Sequence, residues 1–460
     1  MKRALLAAAL ALWASVAVSQ DVKPDAGATF SLNQARSVAR AALHAGDFEL
    51  ARQIAMGLLK ADPEDPFAYA VLAAAHSRLN DPKLARAAAR LSYWHSDTRA
   101  EKFGAARTAA SVAAAQDRPT LSQAWLRIAA THADTPRQDK LVAREYARAR
   151  ATNPLRFDLN FSIAPSDNVN SGTDNVLEVI NGVPTLGFFR GSSRALSGTV
   201  FVFDARVRSR LRADQSSRTE ATGRFYTRRV DLSGEAKAIA PDVSNSDFAS
   251  TYTELGLQHR FKLGAPGNAM GVGAALGASW VGGERSYDFA KANIRRDIRL
   301  SGRSRLSITG VAERRLSTIT SLLDASVVTL GANFGHKLTG GDRLNIGLTV
   351  QDVSGDNINA DYQTASLQAR YTFGKQVGPV QITTGLTVGY TDYNVYTLVR
   401  PVEGGRQDQS IYGDISLFFA DYDVAGFAPT LQLRTGQRSS NVNRFEISET
   451  TITFGIQSKF

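Results

Sequence analysis

From Arg156 onward the chain abandons the helical period and counts in twos. Phe157, Leu159, Phe161 and Ile163 alternate with Asp158, Asn160 and Ser162. The same alternation returns at Leu255, Leu257, Phe261 and Leu263, at Leu344, Ile346, Leu348 and Val350, and at Leu367, Ala369, Tyr371 and Phe373. Successive side chains of a strand point to opposite faces, so each of these strands has one apolar and one polar face. The polar faces are too polar for the packed core of a sandwich, yet the apolar faces are continuous. Mean hydropathy is -0.19. After the N-terminus no apolar run approaches the length of a membrane-spanning helix. A hydrated cylinder set in lipid satisfies both faces, and its alternation is invisible to hydropathy. The expected fold is therefore an antiparallel transmembrane β-barrel following an α-helical region.

The spacing predicts about fourteen strands, at 156–166, 196–212, 218–231, 248–263, 269–284, 291–301, 304–317, 323–338, 343–353, 362–373, 378–392, 410–423, 427–438 and 446–460. Every second connection is short and those between are mostly longer, the asymmetry of outer-membrane barrels, whose periplasmic turns are tight. In the last strand Ile452, Phe454 and Ile456 share the face that ends in Phe460. This resembles the closing strand of bacterial outer-membrane barrels, which implies an assembly signal at Phe454, Ile456 and Phe460. The barrel assembly machinery is then a partner during biogenesis, as is outer-membrane lipid. Ser458 departs from the aromatic or aliphatic residue usual at its position. An edge strand of a soluble sandwich is the alternative.

Met1-Lys2-Arg3, the apolar stretch 4–18 and Ala17-Val18-Ser19 predict a secretory leader over residues 1–19, with 20–30 a loose lead-in. Residues 31–154 change character, with Ala, Leu and Arg dominant. A repeat of 34 residues is visible there: Gly46-Asp47 matches Asn80-Asp81, Ala51 matches Ala85, and Ala55 matches Ala89. That is the period of a tetratricopeptide helix pair. Residues 98–115 and 120–132 read as a further pair, and 143–150 lie in a last helix stopped at Asn153-Pro154. The region reads as a short tetratricopeptide-like solenoid with a concave, peptide-binding face, or as a generic Ala-rich bundle. Its surplus of Arg and Lys suits acidic clients or lipid headgroups, and equally a solvated basic face. Residues 155–460 form the barrel, with the helical domain expected in the periplasm.

Asp204, Arg206, Arg208, Arg210 and Arg212 fall on one face of one strand, and Arg295, Arg299, Arg305 and Arg315 can share the same side of the sheet. Charge on the lipid face costs about 2–4 kcal/mol near the midplane. These side chains are expected to line the lumen, either as a hydrated conduit for a polar or acidic client or as Arg–carboxylate networks that hold the wall. No catalytic site assembles: the six His have no metal spacing, no nucleophile elbow is present, and the chain has no Cys. No enzyme activity, cofactor or metal is expected, and export makes a nucleic-acid partner implausible. Asn168, Asn170, Asp174 and Asn175 are rich in oxygen, but lack calcium-loop spacing. Tyr287, Tyr390, Tyr393, Tyr396, Phe188, Phe189 and Trp280 are placed as aromatic girdle residues. His259 and His336 read as interfacial anchors.

The exit from the first strand reads Ala164-Pro165-Ser166-Asp167-Asn168-Val169-Asn170. Following a tetratricopeptide-like domain and opening a barrel, this stretch resembles the surface lipoprotein assembly modulators (Slam). The resemblance implies an outer-membrane translocon: a periplasmic domain receives a client protein, and the barrel helps it to the surface or medium. Clients in that family include surface lipoproteins and soluble haem- or metal-capturing proteins. Asp167, Asn168 and Asn170 are the shared motif, implied to shape the barrel rim. The alternative functions are a passive or polysaccharide-exporting porin and a barrel enzyme acting on lipid.

Overall fold

The structure, a computed structural model, describes residues 30–398 and 400–458. The expected leader, the lead-in through 29 and Phe460 lie outside the described residues, as do the side chains of 184–188, Phe188 among them. The change from helix to strand falls at 154/155, but the compact units divide between Asp97 and Thr98, so the last three helices group with the barrel.

The first unit holds α1 (Leu32–Ala45), α2 (Phe48–Ala61), α3 (Pro66–Arg78) and α4 (Pro82–Trp94). The 34-residue repeat is physical. Gly46 and Asn80 both turn the chain through left-handed backbone, at φ 82° and 63°, which glycine and asparagine tolerate best. Ala51, Ala55, Ala85 and Ala89 are all buried, and their lack of side-chain bulk lets the paired helices close on one another. Asp65 caps α3 through the Phe67 N–H (2.9 Å), ahead of Pro66 in the first turn, and receives Arg36 at 3.0 Å. On the exposed face of α2 the Arg52 guanidinium, and then the Gln53 amide, hold the Glu49 carboxyl down to about 2.

The second unit opens with α5 (Arg99–Ala115), α6 (Pro119–Thr131) and α7 (Pro136–Thr152). Asp117, at φ 51°, makes the same left-handed turn between α5 and α6. α7 contains 143–150 as expected, and a capping box, Thr135 with Gln138, starts it at Pro136. The joint to the first strand is knitted by the buried Asn153. Its carboxamide oxygen accepts from the Leu155 N–H (2.9 Å) and the Thr120 hydroxyl (3.2 Å).

The strands are β1 (Leu155–Ser166), β2 (Leu177–Ile180), β3 (Val183–Phe188), β4 (Gly198–Ala213), β5 (Ser217–Leu232), β6 (Ser250–Lys262), β7 (Ala269–Val281), β8 (Glu284–Arg299), β9 (Ser304–Ser317), β10 (Ala325–Lys337), β11 (Arg343–Gly355), β12 (Tyr362–Thr372), β13 (Gln381–Tyr393), β14 (Arg406–Phe418), β15 (Phe427–Ser440) and β16 (Ile447–Ser458). β1 and β4–β16 close into one antiparallel barrel of fourteen strands in sequential order; β2 and β3 form a separate hairpin in the loop after β1. A short helix, α8 (Gly234–Ile239), lies between β5 and β6. None of the described helices is long and apolar enough to cross a membrane.

Two expected connections prove to be strand. Residues 285–290 belong to β8, because Gly282 and Gly283, at φ 64° and 87°, make a two-residue turn and pairing resumes at Glu284. Likewise β14 begins at Arg406, directly after the left-handed Gly404-Gly405. We call the end that holds the start of β1, where α7 joins, the near end. Its turns are locked by aspartates. Asp214 accepts from the hydroxyl and N–H of Ser216 and of Ser217, and Asp342 from the Tyr371 hydroxyl and the Gly374 N–H. These bonds hold both carboxyls below the usual carboxylate range. The seam that closes the barrel is short: β1 and β16 pair from Phe161/Ile456 to Ser166/Thr451, whereas β1 pairs with β4 along its whole length.

Candidate functional site: the lumen and its two mouths

Alternation sorts the barrel side chains. Outward positions carry Phe157, Leu255, Leu276, Leu330, Leu348 and Ile411, all exposed, with Leu255 as much as 74 %. Phe454 and Ile456, expected at the assembly signal, stand in this belt on β16. A closed cylinder wearing so much contiguous exposed apolar surface is insoluble in water and at home in hydrocarbon. The chain therefore belongs to the class of lipid-facing β-barrels.

Inward positions carry most of the charges. Asp204 receives Arg206 at 2.8 Å and Arg224 at 2.9 Å; Asp297 receives Arg295 at 2.9 Å and Arg260 at 3.0 Å. Glu313 takes Arg315 at 2.6 Å, and Asp414 takes Arg370 at 2.7 Å. Glu254 joins Lys291 and the Tyr252 hydroxyl. Arg224 to Asp204 joins neighbouring strands, Arg260 to Asp297, Lys291 to Glu254 and Arg370 to Asp414 each reach across an intervening strand, and the rest lie along one strand; together they brace the wall. The near end is different. There Arg156 stands opposite Arg208, Arg299 opposite Arg305, and Lys337 opposite Arg343, and among the described residues none of the six makes an ion pair. Arg218 with Glu220 (3.1 Å) and Arg370 with Asp414 are paired toward the same end, so it is these six opposed residues, not the whole near end, that stand unpaired. Arg210 reaches back to the Thr152 carbonyl at 2.8 Å. Arg212 is a correction. A bulge between Arg210 and Arg212 expels Leu211 from the ladder and sets Arg212 opposite Thr219, on the outward register.

The loops of the far mouth fold back on the strands and on one another. Asp167 accepts from the Thr450 N–H at 3.3 Å, tying the loop start to β16. The Asn168 carboxamide bonds both backbone groups of Gly172, at 2.7 and 2.9 Å. The Asn170 amide donates to the Ser192 and Arg194 carbonyls at 2.8 and 2.7 Å, and its oxygen accepts from the Leu196 N–H at 2.9 Å. This folding carries Val169 and Leu196 inward, where Leu196 is 0 % exposed against Val200, Val230 and α8. The oxygen-rich stretch is thus spent on loop bonds, and no group of metal-binding side chains gathers among the described residues. Asn443 then clasps β2 through the Val179 N–H (2.7 Å) and the Leu177 carbonyl (2.6 Å). Arg406, only 8 % exposed, pairs with Asp408 at 2.6 Å and lies against Phe445, Tyr393 and Tyr396.

That cluster corrects the girdle. Tyr393 and Tyr396 point into the barrel mouth, Phe189 is buried in the loop, and Tyr287 lies on the inward register beneath Arg315. Tyr390 and Trp280 keep the outward register, as do His259 and His336, which bond Thr219 (2.9 Å) and Ser304 (2.8 Å).

The near mouth is seated under helices. Arg127 of α6 donates to the Ala425 carbonyl (2.8 Å), the Ser458 hydroxyl (3.0 Å) and the Tyr146 hydroxyl (3.0 Å), with its guanidinium 4.4 Å from the Phe427 ring. Beneath α6 and α7 a chamber of about 1060 Å³ opens into the barrel; Arg127, Arg150, Arg156, Arg208, Arg343 and Arg370 line it, and Asp158 is the one carboxylate among its described lining residues. The alternation expected in the sequence locates Arg208, but nothing in it reveals Arg127, whose barrel partners lie 298 and 331 residues away in the chain.

No family model matches the sequence, and no curated protein matches it. Several solved structures share parts of the fold. The SycD chaperone of the Yersinia enterocolitica type III secretion translocator matches at 19 % identity and a TM-score of 0.24, over 27 % of this chain and 86 % of its own. OccAB3 of Acinetobacter baumannii matches at 8 % identity and a TM-score of 0.35, over 66 % of this chain and 98 % of its own. OmpT of Vibrio cholerae matches at 9 % identity and a TM-score of 0.33, over 66 % and 98 %. The assignment of fold rests on the strand pairing itself and not on these likenesses.

Proposed function

We propose that this chain is an outer-membrane translocon related to the Slam family. In this reading a periplasmic helical domain receives a client protein and hands it to the barrel for passage to the surface or medium. The observation that carries it is the seating of α6 and α7 directly over the near mouth, pinned by Arg127 to the last strand and the β14–β15 turn. Helices placed there control whatever enters the lumen, a geometry that a passive pore does not need. The leader expected over residues 1–19 and the short turns at the near end both favour a periplasmic near end. The Asp167, Asn168 and Asn170 motif shapes the opposite rim. No catalytic role is assigned to any residue.

A second reading, a passive or polysaccharide-exporting channel, draws on the charged lumen wall. Deleting residues 30–153 separates the two. A translocon keeps its inserted barrel but strands its client in the periplasm, read by comparing surface, medium and periplasmic proteomes. Unchanged secretion overturns the proposal, and altered small-solute uptake or lost capsule in its place favours the channel.

A further inference from the structure

The near mouth carries an electrostatic cost that the rest of the lumen avoids. Like charges directly opposite on neighbouring strands repel and destabilise the pair. Mid-barrel, Arg206 and Arg224 are also opposite one another, but Asp204 bonds both. At the near mouth the opposed pairs Arg156/Arg208 and Lys337/Arg343 are bonded by no such carboxylate among the described residues. Arg208 on β4 and Arg343 on β11 are seven strand positions apart in a ring of fourteen, so they face each other across the chamber. With strands about 4.8 Å apart, the ring is on the order of 20 Å across. No small anion reaches both walls, whereas an extended polypeptide at roughly 3.4 Å per residue crosses in about six residues.

The chamber has an approach. A groove between α5, α6 and α7 is floored by Ala110, Ala114, Leu121 and Ala149, and rimmed by Arg118 and Arg148. It shares Thr120, Ala124 and Leu155 with the chamber, so the two lie side by side. An alanine floor accepts small apolar side chains, which a polysaccharide lacks. We infer that groove and chamber together form a binding site for an extended client segment in which small apolar residues are followed by a run of about six carboxylates. The apolar part lies along α5–α7, and the acidic run spans Arg156/Arg208 and Lys337/Arg343, relieving their repulsion. This inference rests on the translocon reading and names the chemistry of its client.

The test uses the full chain in detergent micelles and a fluorescein-labelled peptide of four Ala/Leu residues followed by six Glu. Anisotropy is expected to show binding that weakens with added salt, and no binding of the matching six-Gln peptide. R156Q/R208Q and K337Q/R343Q each weaken binding about tenfold, equivalent to about 1.4 kcal/mol, whereas R190Q, in a far-end loop, leaves it unchanged. Because the substitutions relieve like-charge repulsion, neither double variant melts below wild type, which separates lost binding from lost folding. Wild-type affinity in both double variants overturns the site, and equal binding of a galacturonate hexamer overturns the choice of polypeptide. Peptide binding is read on purified protein and export in cells. Failed binding with export still dependent on residues 30–153 therefore discards this inference alone, and intact binding with independent export discards the translocon alone.

Discussion

Arg406 and Asp408 stand two residues apart on β14, both nearly sealed from solvent, at 8 % and 5 % side-chain exposure. Removing one partner of a buried pair strands the other charge, at a cost of about 3–5 kcal/mol. Arg406→Met is expected to free residues 394–405 from the mouth, seen as protease cleavage there on intact cells while the barrel stays inserted. A second residue-scale expectation concerns Glu49. Its folded pKa, about 2, lies below its ordinary 4.5. The stabilisation from the Arg52 contact is therefore complete above pH 4.5 and is lost as pH falls through about 2. A glutamate-labelled sample should show the Glu49 carboxyl resonance titrating near 2, and R52Q should return it toward 4.5. An unshifted Glu49 in the wild type contradicts the contact.

At the scale of elements, the loop after β1 depends on one side chain more than on any turn propensity. Asn170 ties together strands of loop that are 22 to 26 residues apart in sequence. Asn170→Ala leaves several backbone groups without partners, a loss of about 3 kcal/mol when each unsatisfied group costs about 1–3. Val169 and Leu196 are then no longer held against Val200 and α8. The expected readout is a larger conductance in planar bilayers, with unchanged migration of the unheated barrel on gels. Unchanged conductance would show that the loop does not obstruct the mouth. Sequence alternation located nearly every barrel strand, because a period of two survives wherever one face meets lipid and the other water. It failed at 285–290, where Arg285 and Asp288 put an ion pair on the outward register and Phe289 puts a ring on the inward one, a pattern that looks like loop. It failed again at Arg212, because a bulge is one residue of backbone geometry and leaves no mark on composition.

For the molecule as a whole, the apolar belt sets the terms. Leu330, 60 % exposed and outward on β10, is expected to face hydrocarbon, and Thr329 beside it faces the lumen. Leu330→Arg should cost about 2–4 kcal/mol of stability if it lies near the midplane, whereas Thr329→Arg should be nearly neutral. Urea unfolding in lipid vesicles measures both, and equal costs would contradict the assigned faces. The sequence alone determined the helix-to-strand switch at 154/155, the strand count and the faces, because helix propensity, the 34-residue repeat and strict alternation are local properties of the chain. Only the tertiary structure decided which lumen charges are neutralised, that Tyr393 and Tyr396 turn inward, and that Arg127 docks α6 on the closing strand. Those outcomes depend on which strands become neighbours and where loops fold back, and residues hundreds of positions apart meet only once the barrel has closed.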